Sequence, residues 1–206
     1  MTSRRGKPSA GASGEYEEAR SLASRPDAAK YRARCVAMLR AAADTGDARA
    51  QYALGNWYLY GIGVRKSIPR GVSLMRAAAQ AGIVDALYYV GVAYETGTGV
   101  RKDLKRAFLI YLEGARRGDA DAACEAARCL RWGIGVKADK NRSLLWYRKA
   151  ASRGDAEAQF ILGRSYETGD CVRPNRRWAA HWFRKAKESD YPNAAASLRR
   201  VLAVSK

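Results

Sequence analysis

Across 206 residues the chain carries 38 lysines and arginines against 20 aspartates and glutamates, a formal charge of +18, and this balance favours anionic partners: acidic protein, nucleic acid or a lipid surface. The apolar fraction of 48% suffices for a core and excludes a disordered chain. No run approaches the roughly 18 apolar residues of a membrane span, and the four cysteines (Cys35, Cys124, Cys129, Cys171) contain no Cys-x-x-Cys pair, so neither a zinc site nor a redox motif is indicated.

Residues 1–12 are dominated by Ser, Gly, Ala and basic side chains and read as a disordered tail. The opening stretch has no apolar signal-peptide core, and Glu15, Glu17 and Glu18 argue against a transit peptide. Reduced thiols and a polar start suit the cytoplasm. The alternative is a secreted effector exported without a signal peptide.

Residues 13–46 read as a degenerate capping unit. Shifted by 36, Tyr16 falls on Tyr52, Leu22 on Tyr58, and Met38-Leu39 on Leu74-Met75. An atypical terminal repeat is what an array needs where its outer face meets water.

Four full units follow, at 48–83, 84–119, 120–155 and 156–191, marked by Gly61-Ile62-Gly63-Val64, Gly97-Thr98-Gly99-Val100, Gly133-Ile134-Gly135-Val136 and Gly169-Asp170-Cys171-Val172. Each mark lies 36 residues after the last, and a period of that size means stacked structural repeats. A first helix, A, starts after Gly46-Asp47, Gly118-Asp119 and Gly154-Asp155: glycine ends the preceding helix and aspartate caps the next. In the second unit Asp85 stands in, less well. Helix A buries Ala50, Ala86, Ala122, Ala158 and Ala194, with Leu54, Val90, Ala126, Leu162 and Leu198 beside them. Gly55, Gly91, Ala127 and Gly163 let backbones approach closely.

The double glycine turns the chain. Ser67, Asp103, Asp139 and Asn175 then predict the N-cap of a second helix, B. Its expected buried columns are Leu74, Ile110, Trp146, Trp182 and Met75, Tyr111, Tyr147, Phe183. Helices of about 12 residues do not hold alone in water, so hairpins must stack to bury their stripes. Residues 192–206 read as a C-terminal capping helix. The fold class is an all-α solenoid of antiparallel helix hairpins with a 36-residue repeat.

The string Ala50-x3-Leu54-Gly55-x2-Tyr58-x2-Gly61-x-Gly63-Val64, followed by Arg76-Ala77-Ala78-Ala79 and Gly82, resembles the Sel-one-like repeat (SLR), a relative of the tetratricopeptide repeat. The third copy, with Trp146-Tyr147-Arg148-Lys149-Ala150-Ala151, matches it plainly. Ala127, Cys171 and Lys187 depart from the usual residues. The resemblance implies a right-handed α-solenoid and a non-enzymatic adaptor or scaffold. Secreted relatives with paired cysteines in each repeat are linked to β-lactam binding; that pairing is absent here, so the activity is not carried over.

Analogy with tetratricopeptide arrays places partner binding in a concave groove lined by helix A. The residues so picked are Arg49, Tyr52, Asn56, Leu59 and Tyr60; Asp85, Tyr88, Val92 and Glu95; Asp121, Cys124, Arg128, Arg131 and Trp132; and Glu157, Phe160, Arg164 and Glu167. Such a mix suits an extended, acidic protein segment, with Arg128, Arg131 and Arg164 as the anion contacts. Tyr52, Tyr88 and Phe160 share one column and also read as packing between neighbouring A helices.

The competing reading is nucleic acid or another polyanion on ladders of positive charge. One ladder is Arg65, Arg101, Lys137 and Arg173; another is Arg70, Arg106 and Arg142, continuing back to Arg34. A third is Arg40, Arg76, Arg148 and Arg184. The same residues also read as solvated side chains whose stems cover apolar surface. The aromatics fall on core columns rather than among the cations, so no base-stacking platform is visible. His181, the single histidine, aligns with Leu109 and Leu145 and reads as packing at the edge of helix B rather than as a catalytic or metal-binding group. The Gly-x-Gly marks follow helices rather than strands and are not phosphate loops. No catalytic residue, cofactor or metal is expected.

Overall fold

A computed structural model describes residues 10–25 and 27–203. All regular structure among them is helical: α1 (Ala10–Ala23), a 3-10 turn (Ala28–Tyr31), α2 (Arg32–Asp44), α3 (Ala48–Tyr60), α4 (Ile68–Gln80), α5 (Ala86–Thr96), α6 (Leu104–Arg117), α7 (Ala120–Trp132), α8 (Lys140–Ser152), α9 (Ala156–Thr168), α10 (Arg176–Glu188) and α11 (Ala194–Ala203). This is the all-α hairpin array with a repeat of about 36 residues that the spacing predicts. Helix α1 begins inside the stretch expected to be a tail; the rest of that stretch, residues 1–9, lies outside the described residues. The chain forms two compact units, Met1–Lys102 and Asp103–Lys206. The boundary falls in the turn of the second repeat.

In the first unit α1 pairs with α2, α2 with α3, α3 with α4, and α4 with α5. Tyr16 and Leu22 of α1 pack against a buried cluster that includes Cys35, Leu39, Leu54 and Tyr58. In the second unit consecutive helices from α6 to α11 pack in the same serial manner. Phe183 of α10 presses so closely on α9 that a Cβ at Gly163 would lie 2.5 Å from its ring. The small column of helix A is therefore a contact requirement here.

The caps divide more finely than the columns suggest. Asp47, Asp119 and Asp155 each accept from backbone N–H groups of the helix they open, Asp47 from both Arg49 and Ala50. Asp85 does not: its backbone is already helical (φ −59°, ψ −25°), which turns the carboxylate away from the free amides. Asp103, Asp139 and Asn175 cap their B helices through the side chain. Ser67 starts α4 without a side-chain bond. Pro69, at its second helical position, has no N–H to offer.

Helix B also corrects a buried column. Met75, Tyr111, Tyr147 and Phe183 are fully enclosed, but Leu74, Ile110, Trp146 and Trp182 are only half-buried. The enclosed partners are Val72, Phe108, Leu144 and Ala180, one turn earlier. The stripe is centred on the i, i+3 and i+6 series through 72, 75 and 78, so a residue one place before it sits at the margin. A further tie was not foreseen. Gln51 and Gln159, in the same column, donate from Nε2 to the carbonyls of Ala43 and Ala151 at 3.3 and 3.2 Å, pinning a helix A to the end of the helix B before it.

Candidate functional site

The A helices of the second unit, α7 and α9, leave a cleft of about 210 Å³ lined by Arg131, Trp132, Ile161, Arg164, Ser165, Thr168 and Asp170. Three of the residues expected in the groove meet here: Arg131 and Trp132 from the last turn of α7, and Arg164 from the middle of α9. The indole of Trp132 is 68% exposed. Arg131 stands 5.5 Å over it and donates to the carboxylate of Asp170, which Lys140 also approaches at 3.8 Å. The Arg131 guanidinium holds the Asp170 carboxyl below its ordinary range. Arg164 is exposed, and its guanidinium has no partner among the described residues. Of the three arginines expected to contact an anion, Arg164 is the one that faces open space, because Arg128 donates to Glu125 at 2.6 Å.

The remaining groove residues are engaged in various ways. Glu167 accepts two bonds from Arg200 of α11, at 2.8 and 2.7 Å. Cys124 is buried rather than lining the groove, and burial drives its thiol pKa far up. Phe160 packs on Phe183 and Tyr191, at 5.5 and 5.1 Å between ring centroids. Burial, with Glu125 and Asp155 nearby, raises the pKa of Glu157.

In the first unit Arg49 binds Glu17 at 2.7 Å and lies over the Tyr16 ring. Tyr52 and Tyr88 both meet Tyr89 edge-on, at 6.2 and 5.3 Å. Tyr89 stands one place outside the groove column, where spacing alone gives no sign of it. Burial, with the Tyr52 and Tyr60 hydroxyls nearby, pushes its pKa up. Asn56 donates to the backbone of Tyr52 at 3.4 Å, and Glu95 is half-buried.

The basic ladders are exposed in both units: Arg65, Arg70 and Arg101 in the first, Arg106, Lys137, Arg142 and Arg173 in the second. Their helices are charged unevenly. Helix α8 carries Lys140, Arg142, Arg148 and Lys149 and no acid, whereas α7 and α9 mix both signs. Two arginines of the third ladder serve as struts: Arg40 donates to the Tyr58 hydroxyl at 3.1 Å, and Arg148 to that of Tyr166 at 3.2 Å. Trp178 corrects the expectation that no aromatic stands among the cations. It occupies the ladder column of Arg70, Arg106 and Arg142 and is 49% exposed. His181 lies edge-on between Trp178 and Trp182. Among the described residues no group of three His, Cys, Asp or Glu side chains is placed to hold a metal ion, and no helix is long and apolar enough to cross a membrane.

The Sel1 repeat model matches residues 48–83, 84–119, 120–155 and 156–191, the four units read from the spacing. No curated protein sequence matches significantly. Among solved structures, a Sel1 repeat protein from Oxalobacter formigenes is 32% identical, with a TM-score of 0.76 over 88% of this chain and 82% of that one. The protective antigen c5321 of uropathogenic Escherichia coli, described as displaying an SLR fold, is 24% identical with a TM-score of 0.81; the match covers 95% of this chain but only 42% of that one. Immunity protein Pa5087 of Pseudomonas aeruginosa is 20% identical with a TM-score of 0.59 over 95% and 78% of the two chains. The last two likenesses concern the fold alone.

Proposed function

The chain belongs to the Sel1 repeat family, whose members are generally protein-interaction scaffolds, and from that premise we propose that this member is a non-enzymatic adaptor holding an extended acidic protein segment in the cleft between α7 and α9. The observation that carries this reading is the pairing of an unengaged cation, Arg164, with an exposed indole, Trp132, across one cleft. A carboxylate of the segment takes the planar fork of Arg164, and an apolar side chain next to it lies on Trp132. The Thr168 hydroxyl, which donates to the Arg164 carbonyl, keeps its lone pairs to accept from a backbone N–H of the segment.

The test is a titration of labelled aspartate- and glutamate-rich peptides against the wild type and the Arg164→Glu/Trp132→Ala double variant. A loss of about tenfold or more is expected. Equal binding by a variant that retains its helical circular dichroism places the contact elsewhere.

A further inference from the structure

A second site lies on the opposite side of α9, between α8 and α10. One ladder column is arginine in three repeats and tryptophan in the fourth, so Trp178 stands where the others carry a cation. Its ring is near-parallel to that of Tyr166, with centroids 6.1 Å apart and planes 26° apart. His181 meets the same indole edge-on at 5.4 Å, which holds the ring in place. Arg148 is fixed at the far end of the Tyr166 ring by its bond to the hydroxyl. Arg173, in the turn before α10, is exposed, and its guanidinium has no partner among the described residues. Arg148, Tyr166, Arg173, Asn175 and Trp178 line an open cleft of about 600 Å³. That volume is on the scale of sites that take a small organic group.

The surroundings are cationic. Helix α8 has no acid, and α10 carries Arg176, Arg177, Arg184, Lys185 and Lys187 against Glu188 alone. We propose that this cleft binds single-stranded nucleic acid, one base lying on Trp178 and the adjoining phosphates on Arg173 and Arg148. Each part suits that ligand. An exposed indole backed by a second ring stacks on any base. Guanidinium forks pair with phosphate oxygens in two-point contacts. An acidic peptide would use the arginines, but the near-parallel Trp178–Tyr166 pair is a flat platform that matches the face of a planar base rather than an aliphatic side chain. A lipid surface needs an apolar edge that protrudes, whereas Trp178 is held against Tyr166 along the wall of a cleft.

The site is separate from the α7–α9 cleft, so the two readings fail independently. The experiment is fluorescence anisotropy of labelled oligouridylate and oligothymidylate with the whole chain, at about 50 and about 200 mM salt. Binding is expected to weaken with salt. Trp178→Ala should weaken it by roughly tenfold, and Trp178→Phe should restore most of the loss, since any aromatic face stacks. Arg173→Glu should weaken binding and flatten the salt dependence. Arg164→Glu/Trp132→Ala should leave it unchanged. The proposal is overturned by absence of binding at the lower salt, by equal binding of Trp178→Ala and wild type, or by Trp178-dependent capture of phosphatidylserine vesicles without capture of oligonucleotide.

Discussion

Arg131, in the last turn of α7, donates to the carboxylate of Asp170, 39 residues later in the turn that follows α9. The pair ties the rim of the cleft to the turn beside it and occupies a guanidinium that otherwise faces the cleft. Asp170 stands where two other repeats carry isoleucine and one carries threonine, so this tie is peculiar to the fourth repeat.

Asp170→Asn tests the tie. The carboxyl's pKa is lowered in the folded protein, chiefly by Arg131. Its contribution to stability is therefore present above the unfolded-state pKa of about 3.9 and is lost as pH falls through the lower folded value. Urea unfolding at pH 7 should show the variant less stable by about 1 kcal/mol, a modest figure because both side chains retain solvent contact. The gap should shrink as the pH falls below about 3.9 and close only below the lower folded-state value. The released Arg131 should also tighten binding of acidic peptides in the cleft.

The second turn residue of each repeat gives a contrasting pair of outcomes. Gly63, Gly99 and Gly135 all have positive φ, and Cys171 takes the same conformation with φ 63°. A left-handed residue with a Cβ is strained by roughly 1–2 kcal/mol, part of which glycine forfeits through the entropy of the unfolded chain. Cys171→Gly should therefore stabilise by about 0.5–1 kcal/mol. Gly135→Ala should do the reverse and more strongly, because a Cβ there would lie 2.0 Å from the Leu104 carbonyl oxygen. Backbone cannot yield as a side chain does, and a loss above about 3 kcal/mol is expected in thermal or urea unfolding.

The helix A caps differ in the same testable way. Asp47 is 4% exposed and serves two backbone amides, so Asp47→Ala should cost about 1–2 kcal/mol. Asp85 makes no such bond, and Asp85→Ala should stay within about 0.5 kcal/mol of wild type. Equal losses for the two variants would show that charge near the helix start, rather than capping, sets the effect.

Much of the fold was readable because the repeat states each requirement several times. Apolar residues at helical spacing, aspartate at helix starts and glycine at turns recur in register, and independent copies agree on one helix pair per 36 residues. The misreadings fall where copies differ or where one residue of angle matters. Leu74, Ile110, Trp146 and Trp182 look as apolar as their neighbours Met75, Tyr111, Tyr147 and Phe183, yet a turn of about 100° separates margin from centre. Asp85 has the right identity for a cap and the wrong backbone for it.

By itself the sequence determined the hairpin repeat, its limits and the families of residues that face inward, because periodicity and local capping chemistry act within a few residues of one another. It also named the residues that could form a groove, including Arg131, Trp132 and Arg164. Only the tertiary structure decided which of them remain available. Arg131 is taken by Asp170, Glu167 by Arg200 and Arg128 by Glu125, while Arg164 stands open. Tertiary structure likewise turned Trp178 from one more aromatic into an exposed ring between arginines. Whether a charged or aromatic side chain is spent or free depends on partners up to 39 residues away, and no local spacing encodes that distance.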